Sequence, residues 1–563
     1  MKKIVECVPN FSEGRDAAVI KQITDAICAV EGVKLLNVDP GEATNRTVVT
    51  YVGSPEAVSE AAFQAIRKAS EVIDMRKHHG THPRIGATDV FPFVPVADIT
   101  LAECAGLARK VGERVGKELG IPVYCYEAAA SVPERRNLAN CRKGEYEGIA
   151  DKFKDPVWKP DFGPCEFNET VAKSGVSVIG ARDFLVAVNF NLNTTSTRRA
   201  TAVAYDVREK GRVKREGNPI TGKPVKDENG NTVYIPGTLK GCKAIGWYIP
   251  EYGIAQVSMN ITDINATPLH VAFDEVCSKA AARGLRVTGA EVVGLIPKKV
   301  LTEAGKYYLE KQQRSLGIPE SEIIKIAVKS MSLDDLCPFD PKKKVIEYLM
   351  DDGKSAKLVD LTCTGFAYET ASESPAPGGG SVAAYMGALG AALSTMVANL
   401  SSHKPGWDDR WKEFSDCAEE GQKLVDRLLA AVDEDTAAFN RIMDAFGLPK
   451  ATPEEKAART EAIQAATLFA TQVPLQTMKT SFEVFDLAER MASTGNPNSV
   501  SDAGVGALAA WSAVQGAWLN VKINATSLTD TITAASLLAE AEGIAKESDL
   551  RRDAILAVVN SKI

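Results

Sequence analysis

The chain is poor in the residue patterns typical of structural zinc sites, disulfide-rich secreted proteins and nucleic-acid-binding proteins. Its eleven cysteines are scattered singly from Cys7 to Cys417 with no CxxC pair, which argues against a zinc ribbon and a dense disulfide framework. The net charge of −7 is small for 563 residues, whereas binding to nucleic-acid phosphates normally requires a basic surface. We therefore expect a reducing cytoplasm and no nucleic-acid partner.

Signals for export and membrane insertion are also weak. The N-terminus, MKKIVECVPNFSEG, lacks the apolar core of a signal peptide, because two lysines precede a short strand-like run that contains Glu6. The stretch from Val382 to Leu400 is uncharged and long enough to raise the question of a membrane span. It is dominated by Ala, Gly and Ser rather than Leu, Ile and Phe, which favours a helix buried inside a bundle and no membrane partner.

The first 350 residues alternate between strand-like and helix-like patterns. A chain of 563 residues is too long for one hydrophobic core, so several folding units are expected. The alternation predicts two α/β (α+β) subdomains with sheets covered by helices, at residues 1–180 and 181–350. Within the second, the polar and turn-rich residues 218–237 predict a surface hairpin.

The pattern changes after the charged run PKKKVIEYLMDDGKSAK, which is poor in packing residues and predicts a linker at residues 351–357. Residues 358–563 are rich in Ala and Leu at helical spacing, broken by GLPKATPEEK and STGNPNSVSD. Because Ala-rich helices approach closely, the sequence predicts an all-α helical bundle after the two α/β subdomains.

Histidine is scarce, yet three of the five histidines fall within DMRKHHGTHPRIGATD, at His78, His79 and His82. His78 and His82 have the i, i+4 spacing of a helical metal pair. Gly80 and Pro83 disfavour a continuous helix, however, and no third ligand is apparent, so we predict no metal. Surface histidines on a loop are the ordinary alternative to a functional cluster.

The neighbours of these histidines favour function. Arg84 and Arg76 could bind substrate carboxylates in a forked geometry, and a histidine that titrates near neutrality can carry protons during an acyl-like transfer. Asp39, considered alone, is an acid at the end of a strand.

Several long motifs occur together in the first 350 residues, namely VECVPNFSEGR, NVDPGEATNRTVVTYVG, HHGTHPRIGATDVFPF, AIGWY and QVSMNITD. In this order they resemble the glutamate formimidoyltransferase family. The resemblance implies metal-free transfer of a formimidoyl group from N-formimidoylglutamate to N5 of tetrahydrofolate. It implies that His82 is the catalytic base and acid, and that Asp39 orients it. Arg46 and Arg84 are the predicted substrate-binding cations, and Gly163 and Pro164 match part of the family's folate-binding stretch.

A glycine-rich motif, SPAPGGGSVAA, precedes the first long helix of the C-terminal part. Gly378, Gly379, Gly380 and Ser381 could offer backbone N–H groups to an anion. The motif is neither a P-loop nor a dinucleotide fingerprint, and the end of a flexible linker explains it equally well.

The glycine motif gains meaning from VDEDTAAF, LPKATPEEK and NPNSVSDAGVGA, which follow it. Together they resemble the formimidoyltetrahydrofolate cyclodeaminase family, which is also similar to methenyltetrahydrofolate cyclohydrolases, from about Leu358 to Ile563. The resemblance implies ring closure by N10 with loss of ammonia, with Asp435 as proton donor and the glycine loop in folate binding. Asn498 and Asp502 are further candidates for folate binding, with Asp502 placed against the pterin ring.

For Asp435 to donate a proton at neutral pH, burial must raise its pKa, and Ala437, Ala438 and Phe439 are expected to supply that burial. The predicted function is thus formimidoyl transfer followed by cyclisation to 5,10-methenyltetrahydrofolate, with polyglutamylated tetrahydrofolate as co-substrate. The family also implies a homo-oligomer, either a dimer or a ring of dimers. Two alternatives remain open: a transferase whose helical domain is a non-catalytic oligomerisation scaffold, and a polyglutamyl-folate carrier.

Overall fold

The structure, a computed structural model, describes residues 3–42, 44–80, 83–350 and 357–563. The chain divides into two compact units. The α/β unit comprises Met1–Leu301 and Met331–Asp352, and the helical unit comprises Thr302–Ser330 and Gly353–Ile563. The predicted fold class, α/β subdomains followed by an all-α bundle, is confirmed. Of the predicted linker, only Lys357 lies within the described residues, and the predicted domain boundaries stay predictions.

The first sheet of the α/β unit has seven strands among the described residues, with β1 and β2 placed one after the other between β4 and β5. β3 pairs with β4 at one edge, and β5, β7 and β6 follow in parallel at the other. The strands are β1 (Ile4–Cys7), β2 (Asn10–Phe11), β3 (Val33–Gly41), β4 (Arg46–Gly53), β5 (Thr88–Ala97), β6 (Val123–Glu127) and β7 (Ser177–Ala181).

The two faces of this sheet differ in polarity because side chains alternate along each strand. Val5 and Cys7 are fully buried in the hydrophobic core, whereas Glu6 between them points to the opposite face. The core also includes buried residues of the helices α1 (Ala17–Cys28), α2 (Pro55–Val72) and α3 (Leu101–Glu118). Three short helices, α4 (Leu138–Arg142), α5 (Ile149–Lys152) and α6 (Glu169–Ser174), lie between β6 and β7 in the chain.

The second sheet of the α/β unit is antiparallel, in the order β11–β12–β8–β13. Its strands and the following hairpin and helices are β8 (Val186–Leu192), α7 (Thr197–Val207), β9 (Arg212–Val213), β10 (Tyr234–Ile235), β11 (Cys242–Ile249), β12 (Ile254–Ile261), α8 (Leu269–Ala281) and β13 (Val287–Val293). β9 and β10 pair as a hairpin around the turn-rich residues 218–237, so the predicted surface excursion is confirmed.

A chain of hydrogen bonds crosses the second sheet on the face away from its hydrophobic side chains. Trp247 Nε1 donates to Gln256 Oε1 (3.0 Å), Gln256 Nε2 donates to Asn191 Oδ1 (2.8 Å), and Asn191 Nδ2 donates to Asp335 Oδ2 (2.9 Å). Asn191 and Gln256 are fully buried. Buried amides that satisfy one another fix a unique arrangement of the sheet, so these two side chains are structural.

The next helices are α9 (Lys298–Lys311), which crosses the division at Thr302, then α10 (Glu320–Ser330), α11 (Pro341–Lys344) and α12 (Ile346–Met350). The helical unit continues with α13 (Cys363–Thr370), α14 (Gly379–Ser402), α15 (Trp411–Gly447), α16 (Pro453–Thr494), α17 (Val500–Ala525) and α18 (Thr531–Asn560). α14 is long and apolar enough to cross a membrane, with 61% of its apolar window buried, and it packs against α15, α16 and α17. This is the environment expected for a bundle helix.

Both predicted helix breaks are confirmed. GLPKATPEEK separates α15 from α16, whose first turn is closed by a capping box between Thr452 and Glu455. STGNPNSVSD separates α16 from α17. A further break before α18 was not predicted; there the Asp530 side chain accepts from the backbone N–H groups of Ile532 and Thr533.

α14 and α17 approach each other closely enough for their backbones to touch. A Cβ atom added to Gly390 of α14 would lie 2.7 Å from the carbonyl oxygen of Gly506 and 3.0 Å from the nitrogen of Ala510 on α17. Any side chain at residue 390 therefore has to separate the two helices.

We expect Gly390→Ala to lower the free energy of unfolding by about 2 kcal/mol, because overpacking against backbone atoms cannot be relieved by a rotamer change. The matched control is Gly543→Ala in α18, where an added Cβ meets nothing within 4 Å. It should gain about 1 kcal/mol from helix propensity alone. Calorimetric melting of the full chain checks both; equal shifts in the two variants would contradict the close approach.

Candidate active sites

A cavity of about 320 Å³ lies on the polar face of the first sheet, opposite the face that packs on α1, α2 and α3. Residues of both sheets and of the segments after β7 and β13 line it. Its charged and polar lining includes Glu6, Asp39, Arg46, Arg142, Arg182 and Asn260. The cavity thus brings together the predicted residues Asp39 and Arg46 with three charged residues that the sequence did not single out.

One end of this cavity holds two arginines, Arg46 and Arg142. Arg142 Nε donates to Asp89 Oδ1 at 3.3 Å and its Nη2 contacts Oδ2 of the same carboxylate, which is fully buried and also accepts from the backbone N–H of Ile85 (3.0 Å). Burial lowers the pKa of Arg46 and the nearby charge of Arg142 lowers it further, whereas the carboxylates of Asp89 and Asp39 act in the opposite direction. A desolvated guanidinium beside a second one is well placed to bind a substrate carboxylate.

The other end of the cavity holds Glu6. Its side chain is only 4% exposed, and burial raises its pKa to about 7. The positive charge of Arg182 opposes this rise and the negative charge of Glu347 adds to it. Arg182 also interacts with the hydroxyl group of Tyr126, which lines the same cavity. A carboxyl group in this setting is close to half-ionised at neutral pH.

The predicted cation Arg84 is not among the cavity-lining residues. It is buried, and its guanidinium donates to Glu145 Oε2 (2.9 Å) and to both oxygens of Glu147 (2.6 and 2.9 Å). His78 is buried too; its Nε2 lies 2.8 Å from the carbonyl oxygen of Asn45, and burial lowers its pKa. These contacts give Arg84 and His78 structural partners, and substrate binding by Arg84 stays a prediction.

Two further predictions for the transferase region stay open. His82 lies outside the described residues. Gly163 and Pro164 are absent from the lining of the described cavities, and Gly163 has φ +81° in a turn where an added Cβ would lie 2.5 Å from the carbonyl oxygen of Ile121. That close approach gives Gly163 a conformational reason to be glycine.

A second cavity, of about 130 Å³, lies in the helical unit. Four segments line it: the glycine motif with Gly378, Gly379 and Gly380, residues of α15 around Asp435, Ala470 of α16, and the C-terminal half of α17. The predicted glycine loop and Asp435 are therefore adjacent, although 54 residues separate Ser381 from Asp435 in the sequence.

Asp435 is held by the N-terminus of α14. Ser381 Oγ donates to Asp435 Oδ2 at 3.0 Å, and a Cβ added to Gly380 would lie 2.1 Å from Oδ1. Burial raises the pKa of Asp435, with hydrogen bonds from Ser381 acting in the opposite direction. Of the neighbours expected to bury it, only Ala438 is buried, while Ala437 and Phe439 are exposed. The expectation was wrong for Ala437, which points away from Asp435, whereas Phe439 lies one helical turn beyond Asp435 and lines the same cavity. The N-terminus of α14 adds to the burial of Asp435.

Two asparagines of α17 also line the second cavity. Asn520 Nδ2 donates to the carbonyl oxygen of Gly516 (2.9 Å), and Asn524 Nδ2 donates to that of Ala470 (2.6 Å). Because a backbone carbonyl can only accept, each amide must direct its nitrogen to the helices. Each Oδ1 is then available as an acceptor. Two amides at i, i+4 on a helix otherwise rich in Ala were the sequence signal that could have found them.

Asn498 and Asp502 do not join this cavity within one copy of the chain. Asp502 lies in the first turn of α17, eighteen residues before Asn520, which is about 27 Å along the helix axis. Asn498 precedes that helix and is exposed. Asp433, two residues before Asp435, does not line this cavity either, and its Oδ1 accepts a hydrogen bond from the backbone N–H of Leu358 (2.7 Å). Folate binding by Asn498 and Asp502 stays a prediction.

Within residues 3–42, 44–80, 83–350 and 357–563, no group of three or more His, Cys, Asp or Glu side chains could hold a metal ion. The chemistry available to the described sites is that of carboxyl groups, guanidinium groups, amides and hydroxyls. Predicted catalytic residues line one cavity in the α/β unit, where Asp39 lies, and one in the helical unit, where Asp435 lies.

Comparisons with known proteins identify the family. Residues 4–182 match the Formiminotransferase domain, N-terminal subdomain; residues 187–351 match the Formiminotransferase domain; and residues 362–543 match Formiminotransferase-cyclodeaminase. The chain is 41% identical to Formimidoyltransferase-cyclodeaminase of Rattus norvegicus over 533 residues, which cover 94% of each chain. The protein belongs to the formimidoyltransferase-cyclodeaminase family.

Two shorter relatives match parts of the chain. Glutamate formimidoyltransferase of Streptococcus pyogenes is 42% identical over 310 residues, 55% of this chain and 94% of that protein. Methenyltetrahydrofolate cyclohydrolase of Methylorubrum extorquens is 42% identical over 193 residues, 34% of this chain and 93% of that protein. All residues lining the first cavity except Phe184 and Leu185 fall within the two formiminotransferase matches, and those lining the second fall within residues 362–543.

The buried carboxyl group of Glu6 generates a prediction about stability. Because its folded-state pKa of about 7 lies above its ordinary value of 4.5, the stability it contributes is fully present below about pH 4.5 and is lost as the pH rises through 7. The isosteric Glu6→Gln removes the buried charge, and the free energy of unfolding at pH 8 should rise by about 3 kcal/mol. Calorimetric melting at pH 5 and pH 8 checks this. A difference between variant and wild type that does not shrink toward pH 5 would count against it.

Proposed function

We propose that the chain catalyses two consecutive reactions of tetrahydrofolate. In the first cavity it transfers the formimidoyl group from N-formimidoyl-L-glutamate to N5 of tetrahydrofolate. In the second it cyclises 5-formimidoyltetrahydrofolate to 5,10-methenyltetrahydrofolate and releases ammonia. One observation carries this proposal: the two cavities fall within family matches that together span nearly the whole chain.

In the transfer, N5 forms a bond to the formimidoyl carbon and the bond from that carbon to the glutamate nitrogen breaks. The proton lost by N5 has to reach the departing amine. His82 is the proposed carrier and Asp39, at the cavity, its orienting carboxylate. Arg46 and Arg142 bind substrate carboxylates at their end of the cavity, where the buried Asp89 holds Arg142 in place.

In the cyclisation, N10 attacks the formimidoyl carbon and the bond from that carbon to its terminal nitrogen breaks. That nitrogen takes the N10 proton and one more proton, and it leaves as ammonia. Asp435 supplies the additional proton, because it lies at the cavity and burial raises its pKa above the ordinary value of an aspartic acid. The Oδ1 atoms of Asn520 and Asn524 accept hydrogen bonds from the N–H groups of the departing nitrogen.

The second cavity favours two active sites over a helical domain that serves only for assembly. A scaffold needs no desolvated carboxylic acid. Desolvating one lowers stability, and a catalytic role explains why that loss is tolerated. The similarity to a methenyltetrahydrofolate cyclohydrolase also supports folate chemistry in this unit. A folate carrier without turnover needs neither a desolvated carboxylic acid nor similarity to an enzyme that acts on folate.

Four further properties belong to this proposal. The enzyme acts in histidine degradation, which yields N-formimidoylglutamate. It works in the cytoplasm, where its eleven free thiols stay reduced. It assembles as a homo-oligomer, a dimer or ring of dimers, through apolar side chains that α14 and α17 expose, among them Leu389, Leu400 and Val505. Its folate carries a polyglutamate tail held by basic residues such as Lys342–Lys344.

The first test mixes the enzyme with N-formimidoylglutamate and tetrahydrofolate while 5,10-methenyltetrahydrofolate and ammonia are measured separately. We expect equal amounts of both. Asp435→Asn should lower the cyclisation rate by about 100-fold or more, as loss of a general acid does, and leave the transfer intact. Glu434→Gln, an exposed neighbour on the same helix, is the matched control. Transfer without ammonia release in the wild type would leave only the first reaction standing.

The fit of Gly380 against Asp435 supplies another prediction. In Gly380→Ala the new methyl group would lie 2.1 Å from Asp435 Oδ1, so the carboxyl group must move. We expect cyclisation of 5-formimidoyltetrahydrofolate to fall about 100-fold, the effect of misplacing a catalytic group by about 1 Å. The matched control is Gly543→Ala in α18, where the methyl group meets nothing within 4 Å and which does not line this cavity; it should leave the rate nearly unchanged. Equal rates in the two variants would show that the position of Asp435 is not critical.

A further inference from the structure

Glu6 is a buried acid that neither proposed reaction uses. It lies in the middle of β1, and its cross-strand neighbours are Val52 on β4 and Val94 on β5. Both valines are buried, so the carboxyl group emerges from an apolar surface into the cavity. An acid in such a place lowers stability, and a ligand that bonds to it is the usual reason for its presence.

The charges that face Glu6 come from other elements. Arg182 follows β7 and Glu347 belongs to α12, and they act on Glu6 in opposite directions. Tyr126 of β6 lines the cavity near Arg182, whose charge acts on the tyrosine hydroxyl group. Glu6 lines the cavity, and burial outweighs the attraction of Arg182 in setting its pKa, so its carboxyl group can accept hydrogen bonds from a ligand that enters the cavity.

The cavity is polarised along its length. Asp39 on β3 pairs with Val48 on β4, and Val48 also lies opposite Asn10 on β2. The end of the cavity that holds Arg46 and Arg142 therefore begins in the row of Asn10. That row is four residues beyond Glu6, or about 13 Å along the strand direction. The walls between include Val8, Pro92, Leu138, Phe184 and Leu295. Such a cavity fits a flat apolar ring that carries hydrogen-bond donors at one edge and leads to carboxylates at its far end.

We propose that the Glu6 carboxylate binds the pyrimidine edge of the tetrahydrofolate pterin, accepting one hydrogen bond from the 2-amino group and one from N3–H. This inference rests on the proposed function and names the residue that orients its folate. Two parallel N–H···O bonds to one carboxylate fix both position and orientation. N5 belongs to the other ring of the pterin, so anchoring the pyrimidine edge directs the reacting nitrogen away from Glu6.

The test measures inhibition of formimidoyl transfer by two stable fragments of the substrate, using the full chain. Folic acid carries the 2-amino-4-oxopyrimidine edge, and p-aminobenzoylglutamate lacks the pterin. Glu6→Gln should raise the Ki of folic acid and the KM of tetrahydrofolate by about 10- to 100-fold, the effect of losing a charged hydrogen-bond pair. The Ki of p-aminobenzoylglutamate and the KM of N-formimidoylglutamate should stay unchanged.

The pH dependence provides a second readout. Only the ionised carboxylate accepts both bonds, so the Ki of folic acid in the wild type should rise as the pH falls below 7 and should be flat in Glu6→Gln. Glu347→Gln is the matched variant. It removes a negative charge that raises the pKa of Glu6, so the midpoint should move to lower pH while the Ki at pH 8 is unchanged.

The outcomes separate this inference from the proposed function. If the wild type turns over and the Ki of folic acid is the same in the wild type and in Glu6→Gln, pterin binding by Glu6 is overturned. The proposed function of the chain then still stands. A fall in kcat with unchanged Ki also overturns it, since Glu6 would then carry a proton rather than bind the pterin. Absence of transfer in the wild type overturns the proposed function itself. Melting curves confirm that each variant is folded.

Discussion

Exclusion of water from a carboxyl group is the constraint that both cavities share. Glu6 is flanked by two valines of neighbouring strands, and Asp435 is covered by the N-terminus of α14. In each case burial raises the pKa, although the surrounding architectures have nothing in common. A sheet achieves this by alternation, which puts an acid among apolar neighbours on one face. A bundle achieves it by close approach of helices, which requires a residue without a side chain at the contact.

Much of the fold could be predicted from the chain because its periodicities are strong. IVECV and RTVVTYV are rich in β-branched residues and form β1 and β4, and both predicted loops in the helical region separate helices. The local pattern is weak for β7 and β13, because SVIGA and VTGAEVV contain glycine or a charged residue and no clear alternation. Their strand conformation comes from pairing with neighbours in the sheet, which a local pattern does not show.

The sites were less predictable than the fold, for a reason that particular residues make plain. Asp39, Arg46, Asp435 and the glycine loop were found through long motifs, and the structure puts them at the two cavities. Arg142 and Arg182 come from separate segments and have no motif of their own. The sequence showed Glu6 in a strand, but which face it occupies depends on the helices that cover the other face. Arg84 lies in the most conspicuous motif and is nevertheless bound to Glu145 and Glu147.

The hydrogen-bond chain from Trp247 through Gln256 and Asn191 to Asp335 bears on how this sequence can diverge. Each amide donates a hydrogen bond to one neighbour and accepts one from the other. Replacing either amide alone by an apolar residue therefore leaves a buried polar atom of the other amide without a hydrogen-bond partner. An apolar pair in their place would avoid that cost, but only if both change together. Asn191 and Gln256 are 65 residues apart, yet we expect them to covary among relatives, each changing only when the other changes.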